Sequence, residues 1–408
     1  MKILIVTQYF WPEDFRINET ISFLTSRNHE VSVLTGKPNY PEGFIFPEYK
    51  ENPSSFSNYF GAKIYRIPII VRGKSKIRLA LNYLSFIISG TIYGILKFRK
   101  TNFDVIFVYE PSPITVGIPA IAISKFTNTP VVFWALDLWP ETLEALEIIK
   151  SKFMISFFKR VANYIYNNCH LVLCQSRSFV SNITQYVSDR SRVKYFPSWS
   201  EDINVSSSIP YADEIKYSPD KFTILFAGNI AEAQDIPSCI DAIQIASKYR
   251  NIRWIFLGDG RSFNWLKEEI NRRSLEESVQ LLGRYPSSMM PSFFKHADAL
   301  LVTLKKSKAF QMVIPAKVQT YLKAGIPIIG MLDGDGREVI DEASAGMTCR
   351  AGDYKELANI FKEISQISNA EKLTMGDNAK KYASKYFDKS LLLARLESYF
   401  FEAKNIFK

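Results

Sequence analysis

Short apolar runs of four to seven residues, set apart by amphipathic stretches of helix length, constrain this chain more than any other feature. They fall at Ile3–Thr7, Val31–Thr35, Lys63–Ile69, Asp104–Val108, Val131–Ala135, Leu171–Cys174 and Val193–Phe196. A second series falls at Thr223–Ala227, Trp254–Leu257, Val279–Leu282, Ala299–Leu304 and Pro327–Met331. Such runs predict strands buried on both faces, hence parallel sheets covered by helices. The stretches between them complete βαβ units. At 408 residues the chain suits two cores rather than one. The alternation lapses at 200–221, a polar segment with Ser206, Ser207, Ser208, Pro210 and Pro219 that predicts an interdomain linker. The expected fold class is α/β. One doubly wound, Rossmann-like domain spans 1–199 and a second spans 222–385. A C-terminal helix over 386–408 is free to cross back to the first. Open α/β sheets bind ligands at the carboxyl ends of their strands, so the active site is expected in a cleft between the two domains.

Apolar content of 47% and charged content of 23% exclude a disordered chain. The net charge of +10 suits an anionic partner: a nucleic acid, an anionic membrane face or a phosphate-bearing substrate. No nucleic-acid recognition motif is present and the basic residues are scattered, which argues against the first. Cys169, Cys174, Cys239 and Cys349 lack metal-ligand spacing from one another and from His29, His170 and His296. They predict reduced thiols of a cytosolic protein and no zinc site. The opening MKILIVTQYF reads as a first strand rather than a signal peptide.

Leu79–Leu96 holds 18 residues without a charge, preceded by Lys74, Lys76 and Arg78 and followed by Lys97, Arg99 and Lys100. This length is the lower limit for a membrane span, and a span here would divide a Rossmann-like domain. Asn82, Ser85 and Ser89 share one helical stripe. Two other readings stand: a plain buried helix, or a helix packed inward that offers an apolar, basic-flanked edge to a bilayer. Lys152–Tyr166, with Phe153, Phe157, Phe158, Lys159 and Arg160, reads as a core helix or an extension of that edge.

Chemistry concentrates in the second half. Phe222–Asp235 reads as a strand, a turn at Gly228 and a helix start, a form that brings backbone N–H groups close to an anion. Leu257-Gly258-Asp259-Gly260 repeats the form one strand later. Further on, a strand ends in Lys305, Lys306 and Lys308, a loop with Pro315 enters an amphipathic helix, and Gly325 closes it. Lys317 falls in the first turn of that helix, where the dipole disfavours a cation. A nucleoside diphosphate is the anion that such a cation suits; the other reading is a plain solvated lysine.

The chain resembles glycosyltransferase family four, the retaining GT-B enzymes. Within it, the chain resembles the transferases of bacterial O-antigen and capsule synthesis that add N-acetyl-fucosamine-type amino sugars. The resemblance is carried by Tyr9-Phe10-Trp11-Pro12-Glu13, Pro38-Asn39-Tyr40-Pro41-Glu42-Gly43, Asp137-Leu138-Trp139-Pro140-Glu141, Gly228–Gln234 and Ile314–Leu322. It implies a GT-B fold, a UDP-sugar donor as substrate and no metal or other cofactor. The apolar, basic-flanked edge suggests the acceptor, a lipid-diphosphate-linked saccharide, and with it a cytoplasmic protein docked on the inner face of the plasma membrane. Many family members carry an Arg and a Lys on the second-domain phosphate turn, where this chain has Asn229 and Gln234. Many carry paired glutamates at the positions of Met312 and Thr320, and a Gly-Gly turn where this chain reads Asp14–Asn18. With both turn cations missing, Lys305, Lys306, Lys308 and Lys317 are expected to neutralise the diphosphate, and Arg16 to reach it from the first domain. Gly258, Arg284, Pro315, Gln319 and Glu338 complete the expected donor side. Asn39 and Tyr40 are expected on the acceptor side. Leu136 stands where the family has a histidine, which leaves Asp137 and Glu141 as the expected catalytic carboxylates. Two competitors remain: a nucleotide-sugar 2-epimerase on the same fold, and a metal site at Asp333-Gly-Asp335.

Overall fold

Residues 1–73, 75–145, 148–201, 203, 205, 208–216, 218, 220–249 and 251–407 are described by the computed structural model; Lys74, Ser206, Ser207 and Pro219, named above, lie outside them. The apolar runs form strands as expected. In the first half these are β1 (Lys2–Thr7), β2 (Glu30–Gly36), β3 (Asn58–Tyr59), β4 (Ala62–Ile67), β5 (Val105–Glu110), β6 (Val131–Ala135), β7 (Leu171–Cys174) and β8 (Val193–Tyr195). In the second half they are β9 (Phe222–Ala227), β10 (Ile252–Leu257), β11 (Val279–Gly283), β12 (Ala299–Thr303), β13 (Ile328–Met331) and β14 (Gly346–Cys349). The first sheet runs β3-β4-β2-β1-β5-β6-β7-β8, parallel except for β3 against β4. The second runs β11-β10-β9-β12-β13-β14, all parallel. Strand order reverses beside β1 in one sheet and beside β9 in the other, the switch points where doubly wound sheets open a crevice.

The chain divides into one unit of Met1–Phe196 with Ser390–Lys408 and a second of Pro197–Lys389. The segment expected as a linker belongs with the second unit. Ile203, Ala212 and Ile215 enter that unit's core beside Phe293 and Leu300, apolar anchors hidden among serines. The C-terminal helix Lys389–Phe407 packs on the first unit. Its Phe400 meets Phe107 at 5.1 Å, its Glu397 takes His29 at 2.7 Å, and its Lys404 pairs with Asp104 at 2.7 Å.

The apolar segment after β4 forms one 23-residue helix, Lys76–Phe98, started by the Ser75 side chain, which accepts from the Arg78 N–H. Asn82, Phe86, Gly90, Gly94 and Phe98 are its buried face. Gly90 and Gly94 let it close on Pro119 and Ile123 of the helix Gly117–Thr127. Ile77, Leu81, Leu84, Ile88, Ile92 and Leu96 form an exposed apolar stripe. The helix is long and apolar enough to cross a membrane by length and composition, and 22% of its apolar window is buried. It is therefore no plain buried helix.

Candidate functional site

In the second unit the site is built where β9 and β12 part. Their pairing is confined to Ala299 with Ile224 and Leu300 with Leu225, so the carboxyl end of β9 loses its neighbour on that side. The Tyr321 hydroxyl fills the gap, accepting from the Ala227 N–H at 3.1 Å and donating to its carbonyl at 3.2 Å. Beyond Ala227 the chain turns at Gly228, whose φ of +131° favours glycine. Gly258, with φ +140°, lies so close that a Cβ there would stand 1.8 Å from the Gly228 carbonyl oxygen. Two βα turns thus press backbone against backbone. They line a cavity of about 930 Å³ with Asn229, Asp259, Gly260, Arg284 and Tyr285.

Lys317 lies beneath this turn. Its Nζ donates to Gln234 Oε1 at 3.1 Å and stands 3.6 Å from the centre of the Phe226 ring. A Cβ on Gly228 would come within 3.0 Å of the same nitrogen. Pro315 precedes the helix Ala316–Ala324, which Gly325 closes at φ +70° as expected. Burial among neutral partners pulls the Lys317 ammonium down from the usual lysine range to about 7.

The other expected donor residues divide. Gly228, Asn229, Gly258 and Arg284 line the cavity, and Gln234 holds Lys317. Lys305 pairs with Glu232 at 2.6 Å on the open surface, and holds that carboxyl below its usual range. Lys306 and Lys308 are exposed. Gln319 is turned inward. It is 2% exposed, and its amide donates to the Ser198 carbonyl at 2.8 Å, which fixes the chain entering the unit. Glu338 is exposed on the helix Asp335–Glu342. Asp333 is occupied by Gln311 and the Ala351 N–H, and Asp335 is buried in the first turn of that helix. Among the described residues, no three His, Cys, Asp or Glu side chains gather as metal ligands.

The first unit gathers a second set at the carboxyl ends of its strands. Glu13, 3% exposed, accepts from the N–H groups of Asn39 and Tyr40 at 2.7 Å each and of Phe10 at 2.9 Å. Burial raises its carboxyl above the usual range, partly offset by those three donors. It therefore fixes the loops after β1 and β2 together. Asn39 is fully buried. Its side chain holds Lys37 and the Arg72 N–H, so it builds the loop rather than meeting a ligand. Tyr40 does face neighbours that suit a ligand: Tyr9 at 5.1 Å, Phe15 at 5.3 Å and the Arg72 guanidinium at 5.0 Å from its ring. Arg16 opens the helix Arg16–Ser26 beside Tyr109, in this unit.

Asp137 accepts from the Trp139 indole at 3.0 Å and the Thr142 hydroxyl at 2.7 Å, one donor on each oxygen. Its electrostatic neighbours include Tyr83, which also contacts Tyr9, Arg72 and Ser112. Glu141 has a structural part: Tyr186 donates to it at 2.6 Å and Asn182 at 3.4 Å, and its other oxygen is buried. The peptide bonds Trp11–Pro12, Tyr40–Pro41 and Trp139–Pro140, inside the quoted motifs, are cis. Sequence reading missed Glu110. It is fully buried, takes the Leu136 and Asp137 N–H groups at 3.2 Å each, and so sets the Asp137 loop. Its signal was one acid ending a wholly apolar strand.

Residues 16–199 match the family described as Glycosyltransferase Family 4, and residues 211–382 match Glycosyl transferases group 1. The chain is 24% identical over 352 residues to the putative colanic acid biosynthesis glycosyl transferase WcaI of Escherichia coli, covering 80% of this chain and 82% of that one. It is 22% identical to the alpha-monoglucosyldiacylglycerol synthase of Acholeplasma laidlawii, covering 90% and 88%. Among solved structures, Anabaena HepE in complex with UDP superimposes with a TM-score of 0.68 at 17% identity, covering 98% of this chain and 99% of HepE. The epimerase reading draws no support from these matches.

Proposed function

On the premise that this chain belongs to the family 4, group 1 glycosyltransferases of the GT-B fold, we propose that it takes a sugar from a UDP-sugar held at the Gly228 turn. The observation that carries the reading is Lys317. At the turn position where many family members have a lysine, this chain has Gln234, and Lys317 places its ammonium 3.1 Å from that side chain. The charge missing from the turn in sequence is restored in space. With the backbone N–H groups of the turn it would steady the diphosphate as it leaves, where a charge-assisted hydrogen bond contributes roughly 1.5–3 kcal/mol. HepE, bound to UDP, supports the choice of nucleotide.

The donated group in this proposal is an N-acetylated deoxy amino sugar of the N-acetyl-fucosamine type, transferred with retention of configuration and without a metal ion. The acceptor is a lipid-diphosphate-linked saccharide of O-antigen or capsule synthesis, at the inner face of the plasma membrane. Its sugar lies against Tyr9, Tyr40 and Tyr83, with Asp137 orienting or deprotonating the hydroxyl that attacks. A carboxylate holding one donor on each oxygen retains lone pairs for this. The likeness to WcaI, named for colanic acid biosynthesis, and to the Acholeplasma synthase, named for alpha-monoglucosyldiacylglycerol, is consistent with such an acceptor. The test is transfer from a panel of UDP-amino sugars to a lipid-diphosphate-linked monosaccharide, with and without EDTA. Transfer that survives EDTA is expected. Activity that EDTA abolishes removes the metal-free mechanism, and conversion of the donor alone into its epimer removes the transferase.

A further inference from the structure

Lys317 is a cation without a counter-ion. Among the described residues it forms no ion pair; its partners are the neutral Gln234 amide and the Phe226 ring. Among the described residues, the Cys239 thiol is the titratable group whose charge bears on it. Glu232 is taken by Lys305. The Cys239 thiol, on the helix Ile236–Ala246, is pushed up by burial and stays protonated. Asp235 acts on Cys239 from the start of that helix, and Asp259, across the turn, accepts from the Gly260 N–H. The Tyr321 hydroxyl, one helical turn along, is bound to the Ala227 backbone. No histidine is among these groups. A desolvated amine in such a place gives up its proton readily, and regains it when an anion arrives.

We propose that a nucleoside diphosphate enters the Gly228 turn together with one proton, which the Lys317 amine takes up. The proposal rests on the donor site described above and adds a linkage to it: the empty site holds a neutral amine in mildly alkaline solution, and the occupied site holds an ammonium facing phosphate. Above about pH 7, where burial places the empty-site titration, affinity weakens by ~10-fold per pH unit. The terminal phosphate of UDP, with its own second ionisation near ~6, is already fully charged there and contributes no proton. The sign follows directly. The free site has the lower pKa and the complex the higher one, so the complex binds more protons between the two and binding is stronger toward the acid side of that window.

Calorimetry of UDP binding to the full chain at pH 8, in HEPES, Tricine and Tris, reads the proton directly, because the observed heat then depends on the buffer. Uptake close to one proton per UDP is expected, with affinity falling from pH 7 to pH 9. Lys317→Arg, which keeps the charge and does not titrate, is expected to bind UDP with near-zero uptake and a flat profile. Saturable UDP binding by the unaltered chain with no buffer dependence overturns the proposal and leaves the donor site standing. Equal uptake in Lys317→Arg assigns the proton elsewhere and also overturns it. Absence of UDP binding overturns the donor site itself. The measurement on the unaltered chain decides even where the variant fails to fold.

Discussion

Among single residues, Glu110 shows how a buried acid can serve the fold at a cost that depends on pH. It is fully buried, and burial first, then the nearby Asp137 charge, raises its carboxyl well above the usual range. The folded chain therefore holds this proton where the unfolded chain has released it, so stability falls as pH climbs from the unfolded carboxyl value through the folded one. Glu110→Gln keeps an oxygen for the Leu136 and Asp137 N–H groups and has no proton to lose. The variant is expected to match the parent near pH 5 and to melt higher at pH 8, by roughly 2–4 °C for each kcal/mol relieved. Melting curves across that range check this, and a variant less stable at both values would show that the carboxylate itself is required. Residue roles were the least legible part of the sequence. Glu13, Arg72, Tyr83 and Glu110 each act through partners far along the chain. Gln319 and Asn39 sit in motifs and yet spend their polar atoms on the backbone of distant loops. The exchange between Gln234 and Lys317 spans 83 positions, and no local pattern announces it.

At the scale of elements the sequence was far more open. Strands buried on both faces must be continuously apolar, and twelve such runs were placed within a few residues of the strands that form. The two that escaped explain themselves. β3 is a two-residue edge pair, and β14, Gly-Met-Thr-Cys, is a half-exposed edge strand with little to mark it. The helix Lys76–Phe98 was legible in its length and its polar stripe, but not in which face it would leave open. That required the small residues Gly90 and Gly94 to meet Pro119 and Ile123. The exposed stripe of Leu81, Leu84, Ile88 and Ile92, between basic ends, suits an anionic bilayer. Leu84→Glu with Ile88→Glu, both residues about half exposed, is expected to leave the melting temperature unchanged. Sedimentation with vesicles containing anionic phosphatidylglycerol should weaken by ~10-fold or more, since each buried apolar side chain contributes roughly 1.5–3 kcal/mol. Unchanged vesicle binding would return the stripe to ordinary surface.

For the whole molecule, two doubly wound units with a net charge of +10 suit the handling of anions, as the proposed diphosphate at the second unit and the proposed lipid-borne acceptor at the first require. The central claim is narrower than this and lies in the second unit, that the Gly228 turn with Lys317 holds a nucleoside diphosphate. Thermal unfolding with and without UDP tests it most directly, on the parent chain and on Lys317→Met, which keeps the length of the side chain and removes its charge. Ligand at a hundred times its dissociation constant stabilises by about 2.7 kcal/mol, so UDP should raise the melting temperature of the parent by several degrees at pH 7 and that of the variant by little. No shift of the parent with UDP, or an equal shift in both proteins, would contradict the account.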